Sequence, residues 1–529
     1  MASAETALLK SPSGKHWKPI GAEHHHGINL PLFSLRTKNS CGIGEYSDLI
    51  PLITWCSKLG LDVIQLLPLN DTGKDPSPYS AISAFALNPV HLGIEALPNI
   101  SKHADLQKEL LVLKELNSAQ RVDSQKVGDL KQGILRKYIQ KEKGSLLQKK
   151  ELFAFINSNP WLLGYALFRS IKEKNRWTNW ETWPETLKNI SIPSYQALLS
   201  EFADENFVHM AVQYFCFKQM EEAKKHATSK GVMLKGDVPI LIGRDSADVW
   251  VNRSLFRMEY SAGAPPDMYN QDGQSWGFPI YNWKDMEARQ FQWWKERLQT
   301  TSHCYHLYRL DHIVGFFRIW AIPLGKTAKE GKFTPSDESI WIEHGRKILK
   351  MMLENCPLLP IGEDLGTVPP VVRVCLKELG ICGTKVMRWE RLWTGDRSFI
   401  KKENYPIESM TTLSTHDSET LQQWWRDYPE EATAFANFKK WSYTPKLSIA
   451  QRKEILTDSH HTGSLFHINL LQEYLALFPD MIWQKTDDER INITGKVLKT
   501  NWTYRFKPSL EEMMAHEGLA KAFKEIKGK

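Results

Sequence analysis

Short apolar segments that alternate with helical segments are the feature that most constrains how this chain can fold. The predicted strands are 27–33, 62–67, 232–237, 306–311, 358–363, 384–389, 410–415 and about 498–503. Stretches between them, such as 209–230, 286–302 and most of 418–475, predict helices. Continuous apolar strands separated by helices are typical of parallel strands that are buried on both faces. The sequence therefore predicts an α/β fold, a (β/α)8 TIM barrel with large inserted helical subdomains.

An open doubly wound sheet is the alternative fold. It would need a ligand loop at a switch point, and no loop in this sequence has the glycine pattern of such a site. The loop 41–44 (CGIG) lacks the third glycine of a dinucleotide fingerprint and does not open a helix at once. The barrel is therefore favoured, and a nucleotide cofactor is not expected.

The chain divides into a short N-terminal segment and one long unit. Residues 1–26 are polar and rich in Lys, Ser and His, which predicts a flexible arm. Residues 27–529 are assigned to the barrel, with 95–200 as an inserted helical subdomain and 244–283 as a long loop region at the active site. Loops of such length in compact proteins are usually functional. No linker rich in Pro, Gly or Ser divides the sequence into separate domains.

Composition and charge narrow the possible partners. A net charge of +7 on 529 residues is modest, and 42% hydrophobic with 24% charged residues is ordinary for a globular protein with a large core. The Lys-rich stretch 126–150 has helical spacing, which favours a solvated helix face over a nucleic-acid patch. No apolar run approaches the roughly 18 residues of a membrane span, and no N-terminal signal sequence is visible. We therefore expect neither nucleic acid nor a membrane as a partner.

Cysteine and histidine usage bears on compartment and metals. The seven cysteines are scattered without a CxxC pair, which predicts free thiols in a reducing compartment and hence a cytoplasmic protein. The triplet His24–His26 resembles a metal-binding tract, but no cluster of Cys or carboxylates completes a site. A solvated linker is the favoured interpretation, and no metal is expected.

Carboxylates stand at the C-terminal ends of four predicted strands. These ends carry Asp237, Asp311, Glu363 and Asp417, with Arg309 and His416 beside two of them. In a barrel such ends converge on one face. Repulsion among like charges would raise the pKa of at least one carboxyl group, whereas Arg309 would keep Asp311 ionised. An acid and a nucleophile at the same pH are what covalent chemistry on a sugar needs, so the pattern predicts a carbohydrate-active site.

Other interpretations of these residues stay open. Arg309 and Asp311 can form a buried structural ion pair. The carboxylates can also bind Mg²⁺ or Ca²⁺, although Arg309 offsets charge that a metal would balance and no phosphate-binding loop accompanies the set. A Ser-His-Asp triad is poorly supported, because no GxSxG motif follows a strand.

Seven blocks of the sequence resemble one enzyme family. They are LDVIQLLPL (61–69), SPYSAISAFALNP (77–89), GDVPILIGRDSADVW (236–250), GAPPDMYNQDGQSWGFPIYNW (263–283), YRLDHIVGFFRIW (308–320), GEDLG (362–366) and STHD (414–417). The family is that of the 4-α-glucanotransferases, also called amylomaltases or disproportionating enzymes, glycoside hydrolase family 77. The stretches 281–320 and 414–425 are more similar to the branch that includes the plant cytosolic disproportionating enzyme. Because the barrel is predicted to begin near residue 27, we expect no N-terminal starch-binding modules of the kind that enzyme has.

The resemblance implies roles for individual residues. Asp311 matches the catalytic nucleophile, Glu363 the general acid/base, and Asp417 the carboxylate that holds sugar hydroxyls in the transition state. The matches expected to bind or surround the sugar are Tyr79, Asp237, Gln274, Trp276, Arg309 and His416. Two blocks depart from many relatives: PYSA stands where PYQS is common, and Ser418-Glu419 stands where Asn-Asp is common. Both departures bear on the sugar subsites, whereas the three carboxylates are intact.

The activity that the resemblance implies is transfer of α-1,4-glucan segments between maltooligosaccharides, glycogen or starch-type α-glucans. It would proceed by a retaining double displacement through a covalent glycosyl-enzyme, without a cofactor. A retaining α-glucan hydrolase, similar to an amylase, is the nearest alternative. A catalytically silent glucan-binding scaffold is another, and the intact carboxylates argue against it. Growth of longer oligomers from maltotriose would distinguish transfer from hydrolysis.

Overall fold

Eight parallel strands form the central sheet in a computed structural model that describes residues 2–266 and 271–528. The strands are β1 (His25–Leu30), β2 (Val63–Leu66), β3 (Met233–Val238), β4 (Leu307–Leu310), β5 (Leu359–Gly362), β6 (Gly383–Val386), β7 (Ser409–Thr412) and β8 (Phe466–Leu470). Neighbours in sequence pair in parallel from β1 to β5 and from β6 to β8, and β1 pairs with β8. A parallel bridge between Ile361 and Cys382 joins β5 to the start of β6 and closes the ring. The predicted (β/α)8 barrel is confirmed.

The eighth strand was predicted in the wrong place. The segment about 498–503 consists of turns and irregular chain, whereas β8 lies inside 418–475, which was predicted as mostly helical. This strand alternates apolar residues with His467 and Asn469, which are both fully buried. Their polar atoms are paired, since His467 Nδ1 lies 2.9 Å from the Ser459 carbonyl and the Asn469 amide donates to the Ser459 hydroxyl. The buried strand was not predicted because its polar residues are satisfied by partners on another element, which the local sequence does not show.

Helices surround the barrel and fill its insertions. They are Ala2–Lys10, Gly14–Ile20, Leu49–Leu59, Ala104–Glu115, Ser124–Leu146, Lys150–Ser158, Trp161–Lys174, Glu185–Lys188, Ile192–Glu201, Ala203–Ser229, Ala247–Val251, Trp283–Ala288, Gln292–Cys304, Trp341–Asn355, Pro370–Leu379, Leu421–Asp427, Pro429–Phe438, Ile449–His460, Leu471–Leu475, Leu510–Ala515 and Glu517–Lys527. Short antiparallel strands in the loops are Phe256–Arg257, Tyr260–Ala264, Gln274–Ser275, Ile280–Tyr281, Ile319–Pro323 and Lys332–Thr334. The loop strands lie after β3 and β4, so these two connections have a structure of their own.

Residues 2–26 are not the flexible arm that the sequence predicted for 1–26. They form the helices Ala2–Lys10 and Gly14–Ile20. Trp17 is fully buried, and its indole N–H donates to the Gly380 carbonyl, 2.9 Å away, just before β6. Trp17 also belongs to an apolar cluster with barrel residues such as Phe466. The prediction was wrong because a few apolar residues in a mostly polar segment are enough to close the N-terminal end of the barrel.

Most of the stretch 95–200 consists of helices, from Ala104–Glu115 to Ile192–Glu201. Its apolar side chains, for example Leu110 and Phe168, belong to the same hydrophobic cluster as Ile28 and Leu66 of the barrel. The inserted helices therefore share a core with the barrel. In the predicted loop region 244–283, residues 267–270 lie outside the described residues.

Two further features concern the chain as a whole. No helix in the described ranges is both long and apolar enough to cross a membrane. The seven cysteines are buried and free of disulfide bonds.

Candidate active site

The C-terminal ends of the barrel strands bring the sequence-predicted polar residues together. Asp237 lies in β3 and Arg309 in β4, while Asp311 and Glu363 directly follow β4 and β5. Asp417 lies farther out, because β7 ends at Thr412 instead of near 415. A cavity of about 1040 Å³ is lined by Tyr79, Gln274, Trp276, Arg309, Asp311, Glu363, His416 and Asp417. Of the predicted site residues, Asp237 alone does not line this cavity.

Arg309 is the centre of the site. Its Nη1 lies 2.8 Å from both carboxylate oxygens of Asp237. Its Nη2 lies 2.9 Å from Asp311 Oδ1 and 3.7 Å from Glu363 Oε2. Burial alone would lower the pKa of Arg309, but the neighbouring carboxylates, Asp237 first, raise it well above its usual value. The permanently charged guanidinium holds the carboxylates in place and supplies the positive charge that a divalent cation would otherwise supply.

Asp237 and Tyr79 support Arg309. The Asp237 side chain is fully buried and accepts a 2.8 Å hydrogen bond from the Tyr79 hydroxyl. The Tyr79 ring stacks on His416, with centroids 5.2 Å apart and planes inclined by 19°. The loop after β2 is thereby tied both to β3 and to the loop after β7. The burial of Asp237 favours a positioning role through Arg309 instead of the predicted place next to the sugar.

Glu363 is held by backbone donors. Its Oε2 accepts from the His312 N–H at 2.9 Å, and its Oε1 accepts from the Leu365 N–H at 3.1 Å. Burial raises the pKa of Glu363 to about 7, the charge of Asp311 raises it as well, and Arg309 opposes them. A carboxyl group with a pKa near neutrality can deliver a proton and take it back.

The surroundings of Asp417 lower its pKa, whereas those of Glu363 raise the pKa of Glu363. The Asn492 amide donates to its Oδ1 at 2.6 Å, and His416 Nε2 lies 3.1 Å from its Oδ2. Burial would raise the pKa of Asp417, but its interactions with His416 and the bond from Asn492 hold the pKa at about 2. Near neutral pH, Asp417 is therefore ionised, whereas Glu363 is close to half protonated.

The loop region 244–283 places an aromatic ring over the site. The Trp276 indole N–H donates to Gln274 Oε1 at 3.1 Å, and its backbone N–H donates to the Ala262 carbonyl at 2.9 Å. Its ring meets the His312 ring edge-on, with centroids 5.1 Å apart. His312 has φ 42, an uncommon conformation for a non-glycine residue, and its N–H is the one that bonds Glu363. Trp276 therefore packs beside the backbone that holds Glu363.

Some residues of the site escaped the sequence analysis, namely His312, Asn492 and Trp502. Trp502 has φ 61, and its ring centroid lies 5.8 Å from that of Tyr79 and 5.9 Å from that of His416. His312 directly follows Asp311, so the RLDH motif itself contained the signal. Asn492 and Trp502 lie in the chain after β8 without any local pattern. They are recognisable only when the eighth strand is placed correctly.

Comparisons of the sequence and of the fold with known proteins find the same kind of enzyme. The family model described as 4-alpha-glucanotransferase matches residues 30–511. The chain is 46% identical over 509 residues to a 4-alpha-glucanotransferase of Chlamydia pneumoniae, a match that covers 96% of each chain. It is 37% identical over 678 residues to a 4-alpha-glucanotransferase of Oryza sativa, covering 99% of this chain and 70% of the plant protein. The solved amylomaltase from Streptococcus agalactiae in complex with acarbose has a TM-score of 0.79 at 25% identity, covering 95% of this chain and 98% of that one.

Proposed function

Because the chain belongs to the 4-alpha-glucanotransferase family, we propose that it transfers α-1,4-glucan segments between maltooligosaccharides, glycogen or starch-type glucans by a retaining double displacement. The observation that carries the mechanism is the pair Asp311 and Glu363, which share one nitrogen of Arg309, with the pKa of Glu363 raised to about 7. Retaining glycosidases hold their two carboxyl groups about 5–5.5 Å apart. Two carboxylates that approach the same nitrogen atom are compatible with that spacing.

In the first half of the reaction, protonated Glu363 gives its proton to the glycosidic oxygen while Asp311 attacks the anomeric carbon. The Oδ1 atom of Asp311 is bonded to Arg309, and within 2–266 and 271–528 its Oδ2 has only a 3.4 Å contact with the Ile240 N–H. Oδ2 is therefore the oxygen freer to attack. The bond between the anomeric carbon and the leaving glucan breaks, and a covalent glycosyl-enzyme remains.

In the second half, the ionised Glu363 takes the proton from the 4-hydroxyl of an incoming glucan. That oxygen attacks the anomeric carbon, the bond to Asp311 breaks, and an α-1,4 bond forms with retention. Asp417, ionised and fixed by Asn492, is placed to accept hydrogen bonds from hydroxyls of the reacting sugar. Trp276 offers an aromatic face beside Glu363 that favours sugar over water.

The test of transfer is the product ladder from maltotriose. We expect glucose together with oligomers longer than three units, whereas release of short sugars without growth would indicate a hydrolase instead. Asp311→Asn should lower turnover by at least about 10³-fold, because it removes the nucleophile and keeps the shape of the side chain. Asp204→Asn, at a side chain that is 82% exposed, is the matched control and should retain full activity.

The covalent intermediate has its own test. In Glu363→Gln, an α-maltotriosyl fluoride should still react with Asp311, because the fluoride leaves without a proton. Deglycosylation lacks its base, so mass spectrometry should find a glycosylated peptide containing Asp311. Unlabelled peptide in the folded variant would argue against both assignments.

We also place the protein in the cytoplasm. The support is the full set of seven cysteines, which are free thiols, as expected in a reducing compartment. Maltodextrins and storage glucans in such a compartment would be its substrates.

A further inference from the structure

The rim of the cleft carries two exposed aromatic rings that the mechanism does not use. Trp393 follows β6 and is 45% exposed, and Tyr428 follows β7 and is 40% exposed. Both line the same cavity as Asp311 and Glu363. Large exposed aromatic side chains on a cavity wall are typical of a binding surface, because solvent-exposed rings contribute little to folding.

The ring of strands fixes where this wall lies. In the eight-strand order of the described sheet, β7 is four positions from β3 in either direction, and β6 is next to β7. The loop region with Trp276 follows β3. Tyr428 and Trp393 therefore stand across the barrel mouth from Trp276. The cavity extends from one aromatic wall to the other, with the catalytic carboxylates between them.

Trp393 is held in a defined orientation. Its indole N–H donates to the Trp389 carbonyl at 3.1 Å. It lies in a hairpin that is closed by the Leu392 N–H bonded to the Ser398 carbonyl (2.9 Å) and by a bridge between Arg391 and Phe399. A fixed ring loses little entropy when a ligand stacks on it.

The same packing fixes Trp393 relative to Tyr428. Phe399, at the end of the hairpin, meets Phe435 edge-on with centroids 5.0 Å apart. Phe435 lies in helix Pro429–Phe438, and Tyr428 directly precedes that helix. No hydrogen bond of the Tyr428 hydroxyl is found in the described ranges, so it can bond a ligand hydroxyl.

The chemistry of this wall suits an uncharged polyhydroxylated chain. Two of the neighbouring charged side chains have partners, since Arg388 is bonded to Glu419 at 2.8 Å and Glu431 accepts from the Trp424 indole at 2.8 Å. Aromatic faces with nearby polar groups bind the apolar faces and the hydroxyls of sugar rings. A cavity of about 1040 Å³ is at the upper end of the range for small-molecule sites, about 300–1,000 Å³, which indicates a ligand of several rings.

We propose that Trp393 and Tyr428 form an outer platform that binds glucosyl units remote from the scissile bond and sets a preference for long over short α-glucans. The inference rests on the proposed glucanotransferase function and adds to it the residues that select chain length. Short substrates occupy only the centre of the cleft, between Asp311 and Glu363. Longer chains reach the platform and gain the stacking contacts.

The test compares maltotriose with maltoheptaose as sole substrate. We expect Trp393→Ala and Tyr428→Ala each to lower kcat/KM for maltoheptaose about three- to tenfold more than kcat/KM for maltotriose, the size of one aromatic contact. Trp393→Phe keeps a ring and should keep most of the preference, whereas Trp393→Leu keeps the apolar packing of the hairpin and should lose it. The control is Phe153→Ala, an exposed aromatic (39%) that does not line the cavity, which should leave the ratio unchanged.

The outcomes separate the two proposals. If the wild-type protein extends maltotriose and the variants keep its chain-length ratio, the platform is refuted and the transferase stands. An equal loss on both substrates in Trp393→Leu and Tyr428→Ala would also refute the platform, because it would show a general disturbance of the cleft. If the wild-type protein forms no longer oligomers at all, the proposed function itself fails.

Discussion

At the scale of single residues, the site separates two carboxyl groups by their proton affinity. Burial raises the pKa of Glu363 to about 7, while His416 and Asn492 hold the pKa of Asp417 at about 2 against burial. We predict that kcat/KM for maltotriose falls as pH rises through about 7, because Glu363 loses the proton that it must donate. An α-maltotriosyl fluoride needs no proton, so glycosylation by that donor should lack this alkaline limb. If the alkaline limb appears with both donors, it reports the ionisation of a group other than Glu363.

The sequence was sufficient to predict this charge pattern in outline. Asp311 and Glu363 each follow an apolar run, and a barrel places such strand ends together, so both were predicted from local pattern and topology. Asn492 was not predictable in this way, since it is 75 residues from Asp417 in sequence (492 − 417) and no periodic pattern surrounds it. The role of Asp237 also needed the structure, because its burial behind Arg309 depends on the folded barrel.

At the scale of elements, the connection after β8 holds Asp417 through Asn492, which donates to Oδ1 at 2.6 Å. We predict that Asn492→Ala lowers kcat about 10- to 100-fold, the range for losing a hydrogen bond to a charged group. Without that donor, the pKa of Asp417 rises, so the acid limb of the rate profile should move to higher pH. Asn437→Ala, at an exposed site on helix Pro429–Phe438, is the control. If kcat falls but the acid limb of the pH profile stays in place, Asn492 contributes packing and does not control the pKa of Asp417.

The second prediction at this scale concerns the contribution of the N-terminal helices to stability. Trp17 is fully buried at the end of the barrel opposite to Asp311, so Trp17→Ala should lower the free energy of unfolding by about 3–5 kcal/mol. Activity per folded molecule should be unchanged. Leu9→Ala, at a side chain that is 39% exposed, should change stability by no more than about 0.5 kcal/mol. Urea titration followed by activity measurement at low urea checks both statements. A loss for Trp17→Ala as small as that of the control would mean that these helices do not seal the barrel.

The same two elements show why part of the fold escaped the sequence analysis. The stretch 418–475 was predicted as helical because the polar residues His467 and Asn469 interrupt the apolar run of β8, yet both are buried and their polar atoms are bonded to Ser459. A segment with only a few apolar residues predicts a flexible chain, yet Leu8, Trp17 and Ile20 pack together against the end of the barrel. In both cases tertiary contacts determine the structure, and a local sequence pattern does not predict such contacts.

At the scale of the whole molecule, the barrel has chemistry at one end and a histidine cluster at the other, in which His460 and His467 are buried. The cluster consists of His24, His26, His460 and His467, where β1 and β8 begin. His26 Nδ1 lies 2.8 Å from His460 Nδ1, and His24 Nδ1 lies 3.1 Å from His467 Nε2. The interpretation of 24–26 as a solvated linker was therefore wrong. An N–H···N bond requires one bare ring nitrogen as acceptor, so a proton on that accepting nitrogen would break the bond.

This cluster predicts that the whole fold is sensitive to acid. Burial is the largest cause that lowers the pKa of His26 to about 3 and the pKa of His467 to about 4, and it also lowers the pKa of His460 well below its usual value. Unfolded histidines have a pKa of about 6.5, so below that pH the unfolded chain binds protons that the folded chain cannot bind. Each such group removes about 1.4 kcal/mol of stability per pH unit, from 6.5 down to its folded pKa.

The neighbouring His25 does not compensate for this loss. Burial would lower its pKa, but its ion pair with Asp62 at 2.7 Å raises it. Its contribution is fully present below pH 6.5 and is lost only as pH rises through its folded pKa, so it adds no slope on the acid side. The acid slope of this part of the molecule therefore comes from the cluster together with His16, another buried histidine whose pKa burial lowers.

The measurement is the free energy of unfolding in urea between pH 6.5 and 4.5. The double variant His26→Gln, His467→Gln removes two of the groups with a lowered pKa, so its stability should fall less steeply than that of the wild type, by up to about 3 kcal/mol per pH unit. His303→Gln, at a side chain that is 53% exposed, is the matched control and should keep the wild-type slope. Equal slopes for the wild type and the double variant would mean that the cluster takes up protons without opening. The acid sensitivity of the barrel would then have to come from other groups with a lowered pKa, such as His16, His306 and Asp417, and the histidines of the cluster would be structural at every pH.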